Sequence, residues 1–273
     1  MFNNSQTLFN CQSMNRIKEL FKTKKEILSI YFTAGYPNLT DTVPIIKALE
    51  KAGVDLIEIG MPFSDPLADG PTIQASSQTA LHNGMSIKIL FEQLKEIRKS
   101  VSIPLILMGY FNPVHKFGLD NFLEKCAETG IDGTIIPDLP FDEYLNTYKE
   151  KFEANKVSNI FLITPQTPES RIKLINNNST GFIYMVSSAA ITGAKTGLSD
   201  SQISYFERIK AMKLENPTLI GFGISDHKSF KTTCQYSSGA IVGSAFVKLL
   251  SESKNLEADI LQFVTNIKTE ESL

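Results

Sequence analysis

The sequence predicts an α/β protein of the (β/α)8 TIM-barrel class, a single domain with an N-terminal helix and an extra helix after strand two. Three observations predict it. Eight short β-rich runs alternate with helical patterns along the chain. The runs are apolar on both faces, as parallel strands covered by helices must be. The 273 residues match the roughly 250 of such a barrel, with no linker or composition break to divide them. A doubly wound open sheet is the alternative, but it rarely uses eight regular units.

The elements follow in order. Residues 1–13 contain neither acids nor bases and lack the basic start and apolar centre of a secretory signal, so they are expected to be a disordered extension. The barrel domain is expected over 14–273. NRIKELFKTKK, after Met14, has the pattern of an amphipathic helix. Strand one is ILSIYFTAG from Ile27, and LTDTVPIIKALEKAG follows as a helix with an acidic beginning and a glycine end. Strand two is VDLIEIG from Val54. Pro71 then suits the first turn of the extra helix, TIQASSQTALHNG, which ends at Asn83–Gly84.

Strands three to eight read as IPLILMGY from Ile103, GTIIPDL from Gly133, SNIFLITP from Ser158, GFIYMVSS from Gly181, PTLIGFG from Pro217 and GAIVGSA from Gly239. Between them lie the helical stretches SIKILFEQLKEIRKS, DNFLEKCAETG, FDEYLNTYKEKFEAN, PESRIKLINNN, SDSQISYFERIKAMK and DHKSFKTTCQYSSG. One last long helix is expected from Ala245 into the tail.

Composition narrows the function classes. A net charge of −2 argues against a nucleic-acid footprint, which needs a clustered basic face. The lysines at 22–25 read as a solvated helix end. Cys11, Cys126 and Cys234 are widely spaced with no CxxC, which fits free thiols in a reducing, cytoplasmic setting. His82, His115 and His227 are scattered, so no metal site is expected. No apolar segment reaches the roughly 20 residues of a membrane helix.

Barrels of this class carry their active sites at the C-terminal ends of the strands. Strand two supplies the candidates. Its alternation puts Val54, Leu56, Glu58 and Gly60 on one face and Asp55, Ile57 and Ile59 on the other. The isoleucines suit the helix side, so Glu58 is expected to point into the barrel. An ionised carboxylate there is costly unless paired. Two readings stand: a structural glutamate satisfying a neighbouring Tyr or Ser, or a general acid/base with a raised pKa. In the following loop, PFSDPLADGP, Asp65 reads as a turn former. For Asp69 the turn reading is weaker, because the loop leads from the catalytic end of the strand straight into a helix, where two acids can move protons on opposite sides of a substrate.

The ends of strands seven and eight, GFGIS (Gly221, Gly223, Ser225) and VGSAF (Gly243, Ser244), are glycine turns where many barrels bind phosphate. After strand six, SSAAITGAKTGLSD reads either as a water-excluding lid hinged at Gly193 and Gly197 or as a long surface loop.

Taken together, LIEIG with PFSDPLADGPTIQ resembles the signature of the tryptophan synthase α subunit family. FTAGYP, YFNPV, PDLP, ITGAKTG, GFGI and VGSAFVK follow in order, so the resemblance runs from Met14 through nearly the whole chain. It implies retro-aldol cleavage of indole-3-glycerol phosphate to indole and glyceraldehyde 3-phosphate. It implies Glu58 as the acid/base that protonates indole C3, and Asp69 as the aspartate that holds the indole N–H. Tyr184 matches the active-site tyrosine, and Gly193, Gly223, Gly243 and Ser244 match the phosphate cradle. Thr192 matches the lid threonine that orders Asp69, while Tyr110 and Asp138 match positions in the pocket and its communication with the partner. That partner is a β subunit in an αββα heterotetramer. Pyridoxal phosphate belongs to the β subunit, and this chain carries no cofactor. The lid departs from the usual pattern at Ala190, often a glycine, and at Ser188, basic in some members. The alternatives are a stand-alone indole-releasing lyase, a non-catalytic barrel that activates a partner, or another sugar-phosphate barrel enzyme such as an epimerase.

Overall fold

The computed structural model describes residues 15–187, 198–221 and 223–270. Its eight strands are β1 (Ile27–Thr33), β2 (Leu56–Gly60), β3 (Leu105–Met108), β4 (Gly133–Ile135), β5 (Ser158–Ile163), β6 (Ile183–Val186), β7 (Thr218–Gly221) and β8 (Gly239–Val242). All neighbours pair in parallel, and β8 returns to pair with β1, closing the barrel. Every expected strand is present, shorter by up to a few residues at its ends.

Alternation along the strands divides the apolar residues into two layers. Leu56, Ile106, Ile135, Ile160, Leu219 and Ile241 point inward and fill the barrel with Ile27 and Phe182. Ile30, Phe32, Ile57, Ile59, Leu105 and Leu107 point outward and pack against the helices. Glu58 shares the parity of Leu56 and therefore faces in. Val54 precedes the strand and joins the outer layer, contrary to the alternation read from the sequence.

The N-terminal helix, Arg16–Thr23, closes the bottom of the barrel. Asn15 caps it by accepting from the Lys18 N–H at 3.2 Å, and Ile17 and Leu20 enter the inner layer. Phe21 lies against Phe182 with ring centroids 5.7 Å apart. Two buried aspartates tie the strand entrances at this end. Asp55 accepts from Lys24 Nζ at 2.8 Å, Lys268 Nζ at 2.9 Å and the Leu28 N–H at 3.0 Å. Asp132 accepts from Arg16, Arg98 and the Leu105 N–H. Each is fully hydrogen-bonded, which is what a buried charge requires. The expected extension at 1–13 lies outside the described residues.

The extra helix after β2 spans Pro71–His82, with proline in its first turn and Gly84 at φ +92° beyond its end, as expected. Three helical readings need correction. YFNPV opens a helix not read from the sequence: Phe111–Phe117 form seven helical residues, and Pro113 fits the first turn because that N–H has no helical acceptor. The stretch after β4 is helical in three parts, Phe141–Glu143, a π-helical turn at Tyr144–Tyr148, and Lys149–Ala154. The last helix is two, Ser244–Glu252 and Leu256–Lys268. Asp259 causes the break by accepting from Ser253 Oγ and from the Lys254 and Asn255 N–H groups, while Asn255 caps the second helix. Among the described residues no helix is long and apolar enough to cross a membrane.

Candidate active site

The C-terminal ends of the strands open onto a cavity of about 610 Å³. Asp69 and Gly70 line one side. Gly223, Ser225, Gly243 and Ser244 line another, with Tyr31 and Tyr184 in the floor. A second hollow of about 390 Å³ sits at the bottom face. Its buried charge, Asp132, is already committed to two arginines and a backbone N–H, so its polar groups serve the fold.

Glu58 lies beneath the mouth cavity with no exposed surface. In register it stands opposite Tyr31 on β1 and Ile106 on β3. Oε1 accepts from Ser29 Oγ at 2.8 Å. Oε2 is buried and has no hydrogen-bond partner among the described residues. Burial raises the Glu58 pKa from its ordinary 4.5 to about 8, against the opposing pull of the Ser29 hydrogen bond. At neutral pH the group is a carboxylic acid. An orphaned polar atom in this position costs stability unless something else engages it.

Asp69 is only partly buried. Tyr110 holds it from β3's end: the hydroxyl donates to Asp69 Oδ2 at 3.0 Å and accepts from the Ala68 N–H at 3.0 Å. Burial raises the Asp69 pKa, and the Tyr110 hydrogen bond opposes it. Burial likewise pushes the Tyr110 phenol up to about 12, so it stays a donor. Asp138, from the loop after β4, accepts from the Phe111 N–H at 2.8 Å and fixes the backbone next to Tyr110. Asp138 therefore stands behind Tyr110. Asp65 behaves as the turn former expected: Ser64 Oγ donates to its carboxylate, and its carbonyl accepts from the Leu67 N–H at 2.9 Å.

The glycines divide into two kinds. A Cβ on Gly60 would fall 2.3 Å from the Tyr31 hydroxyl, and one on Gly221 would fall 2.1 Å from the Tyr184 hydroxyl. Those two glycines exist to admit the tyrosines. Gly221 is therefore required by packing against Tyr184, and it also lines the cavity. A Cβ on Gly223 would meet nothing within 4 Å, and one on Gly243 would only graze the Tyr31 ring at 3.6 Å. Packing does not require glycine there, so what these positions protect is the open space above them. Gly243 precedes the nine-residue helix beginning at Ser244, whose N-terminal N–H groups favour an anion.

Tyr184 sits in the middle of β6, opposite Leu162 and Leu219, and not at the strand's end. Thr192 and Gly193, with Ser188, Ala190 and Gly197, lie outside the described residues. Sequence reasoning missed Ser29 and Tyr31. Their signal was present: Ser29, Tyr31 and Thr33 alternate on one face of an otherwise apolar run. Among the described residues no three His, Cys, Asp or Glu side chains gather as metal ligands would.

Comparison with known proteins gives one result. The family model for the tryptophan synthase alpha chain matches residues 17–272. The tryptophan synthase alpha chain of Flavobacterium johnsoniae is 60% identical over 255 residues, covering 93% of this chain and 100% of that protein. That of Flavobacterium psychrophilum is 59% identical with the same coverage. Among solved structures, the alpha subunit from Legionella pneumophila superposes with a TM-score of 0.85 at 31% identity, over 94% of this chain and 98% of that one.

Proposed function

Because the chain belongs to the tryptophan synthase alpha chain family, its activity is the lyase step of tryptophan biosynthesis, retro-aldol cleavage of indole-3-glycerol phosphate, and we propose that Glu58 and Asp69 carry that step. The observation that supports this is the buried Glu58 carboxyl, an acid at neutral pH, whose Oε2 has no partner among the described residues and lies beneath the substrate cavity.

The step runs as follows. Glu58 Oε2 gives its proton to indole C3, and positive charge appears at the ring nitrogen. Asp69, steadied by Tyr110, accepts the indole N–H hydrogen bond and stabilises that charge. The Glu58 carboxylate then takes the proton of the adjacent glycerol hydroxyl. The O–H electron pair becomes the aldehyde C=O, the C3–C bond breaks, and its pair returns to the ring. Indole and glyceraldehyde 3-phosphate result, and Glu58 is an acid again.

The phosphate sits over Gly223, Gly243 and Ser244 at the head of the Ser244–Glu252 helix. Tyr184 forms part of the floor beneath the indole. Thr192 and Gly193 complete the lid and cradle on the strength of their motif alone. The chain works in the cytoplasm with a β subunit, as an αββα assembly. Pyridoxal phosphate resides on that subunit, which condenses the released indole with L-serine. No cofactor enters the step on this chain.

Indole release from indole-3-glycerol phosphate, measured with and without a β subunit, tests the reading. Slow release alone, acceleration by the partner and loss of at least about a hundred-fold in Glu58→Gln are expected. Full activity in Glu58→Gln would overturn it, and fast release without a partner would indicate a stand-alone lyase.

A further inference from the structure

We propose that Ser29 is a positioning residue for the lyase step, fixing which oxygen of Glu58 carries the transferable proton. This rests on the assignment of Glu58 as the acid. Ser29 is fully buried on β1, and its register neighbours are Leu56 and Ile241. Its hydroxyl donates to Glu58 Oε1 at 2.8 Å and makes no other hydrogen bond among the described residues.

The consequence follows from hydrogen-bond inventory. With the serine hydrogen directed at Oε1, that oxygen is the acceptor of the pair, so the acid proton resides on Oε2. Oε2 is the oxygen with no partner among the described residues. Without the serine, either oxygen can hold the proton and the carboxyl is free to turn. The serine also stabilises the carboxylate left after proton donation, because a donor to the charged form favours it.

The other titratable groups around Glu58 are Tyr31 from β1, directly opposite, and Tyr184 from β6, with Asp69 beyond them at the mouth. Both phenols are raised by burial and stay neutral, and β3 presents only Ile106. No lysine, arginine or histidine lines the cavity among the described residues. Ser29 is therefore the one hydrogen-bond donor to this carboxyl among the described residues.

The test uses the full chain with Ser29→Ala and Ser29→Cys, the latter a slightly larger side chain with a weaker donor. Two quantities are recorded between pH 6 and 10: kcat for indole release, and the infrared C=O band of protonated Glu58, assigned by its absence in Glu58→Gln. Wild type should lose both with a midpoint near pH 8. Ser29→Ala should move both midpoints up by about one unit, with Ser29→Cys between. The plateau kcat of Ser29→Ala should fall about ten-fold with KM nearly unchanged, because Ser29 does not touch substrate. An unchanged midpoint in Ser29→Ala would overturn the inference, even if activity dropped, because loss of a donor to the charged form must raise the carboxyl's pKa. Full activity in Glu58→Gln would instead overturn the assignment beneath it, whether or not the infrared midpoint moved.

Discussion

Among the described residues Glu58 has no charged partner, and it has no exposure, so its cost to the fold depends on pH. Its pKa is about 8 in the folded chain against 4.5 ordinarily. Below pH 4.5 the group is protonated in both states and folding pays no charge penalty. Between 4.5 and 8 the unfolded chain releases a proton that the folded chain retains, so stability falls as pH rises. Above 8 the loss is complete, on the order of a few kcal/mol. Glu58→Gln removes the titration while keeping the shape. It should therefore gain stability over wild type by a few kcal/mol at pH 9, with the gap closing towards pH 4.5. Urea midpoints by circular dichroism measure this, since the chain has no tryptophan to report by fluorescence. A gap independent of pH would show that Glu58 does not titrate out of its ordinary range.

At the scale of elements, the site is assembled by loops that hold one another. Asp138 after β4 holds the Phe111 N–H, Tyr110 beside it holds Asp69, and Asp69 faces the cavity. Removing the far end should be felt at the near end. Asp138→Ala should lower kcat about ten-fold through a loosened Tyr110, and cost the fold about 1 kcal/mol for the lost cap. Tyr110→Phe should give a similar kcat loss, and the double variant should be little worse than either, because both act on one link. Strict additivity in kcat would separate them. The same interdependence explains what could be read from sequence. The strands were legible because parallel strands are apolar on both faces, and Glu58 stood out as the acid on the barrel-facing side of such a run, with Asp55 on the other side. The break at 253–255 was not, because no breaker residue marks it and Asp259 makes it from four to six residues on. The helix at Phe111–Phe117 was hidden by Pro113, and its anchor, Asp138, lies far off in sequence. Ser29 showed itself only as one of three alternating polar residues, and its role needs the register that sets it beside Glu58 on the neighbouring strand.

Across the whole molecule, stability and chemistry occupy opposite ends of one barrel. The bottom is sealed by the Arg16–Thr23 helix, with Ile17 fully buried among the inner-layer residues Ile27, Leu56, Ile160 and Phe182. Its neighbours at that end, Asp55 and Asp132, spend their hydrogen bonds on lysines, arginines and strand N–H groups. The top keeps a carboxyl oxygen without a partner among the described residues, and glycines with open space above them. A barrel that concentrates its satisfied contacts at one end can leave polar groups unsatisfied at the other. Ile17→Ala tests the division. Truncation leaves a cavity in a layer walled by several strands that cannot collapse independently, so the cost should be about 2–5 kcal/mol. Because the mouth residues touch none of the atoms removed, kcat and KM measured well below the melting transition should stay within about two-fold of wild type. Equal losses in stability and in kcat would mean that the plug also sets the geometry of the mouth, with the inner layer transmitting the change from Ile17 through Leu56 to Glu58.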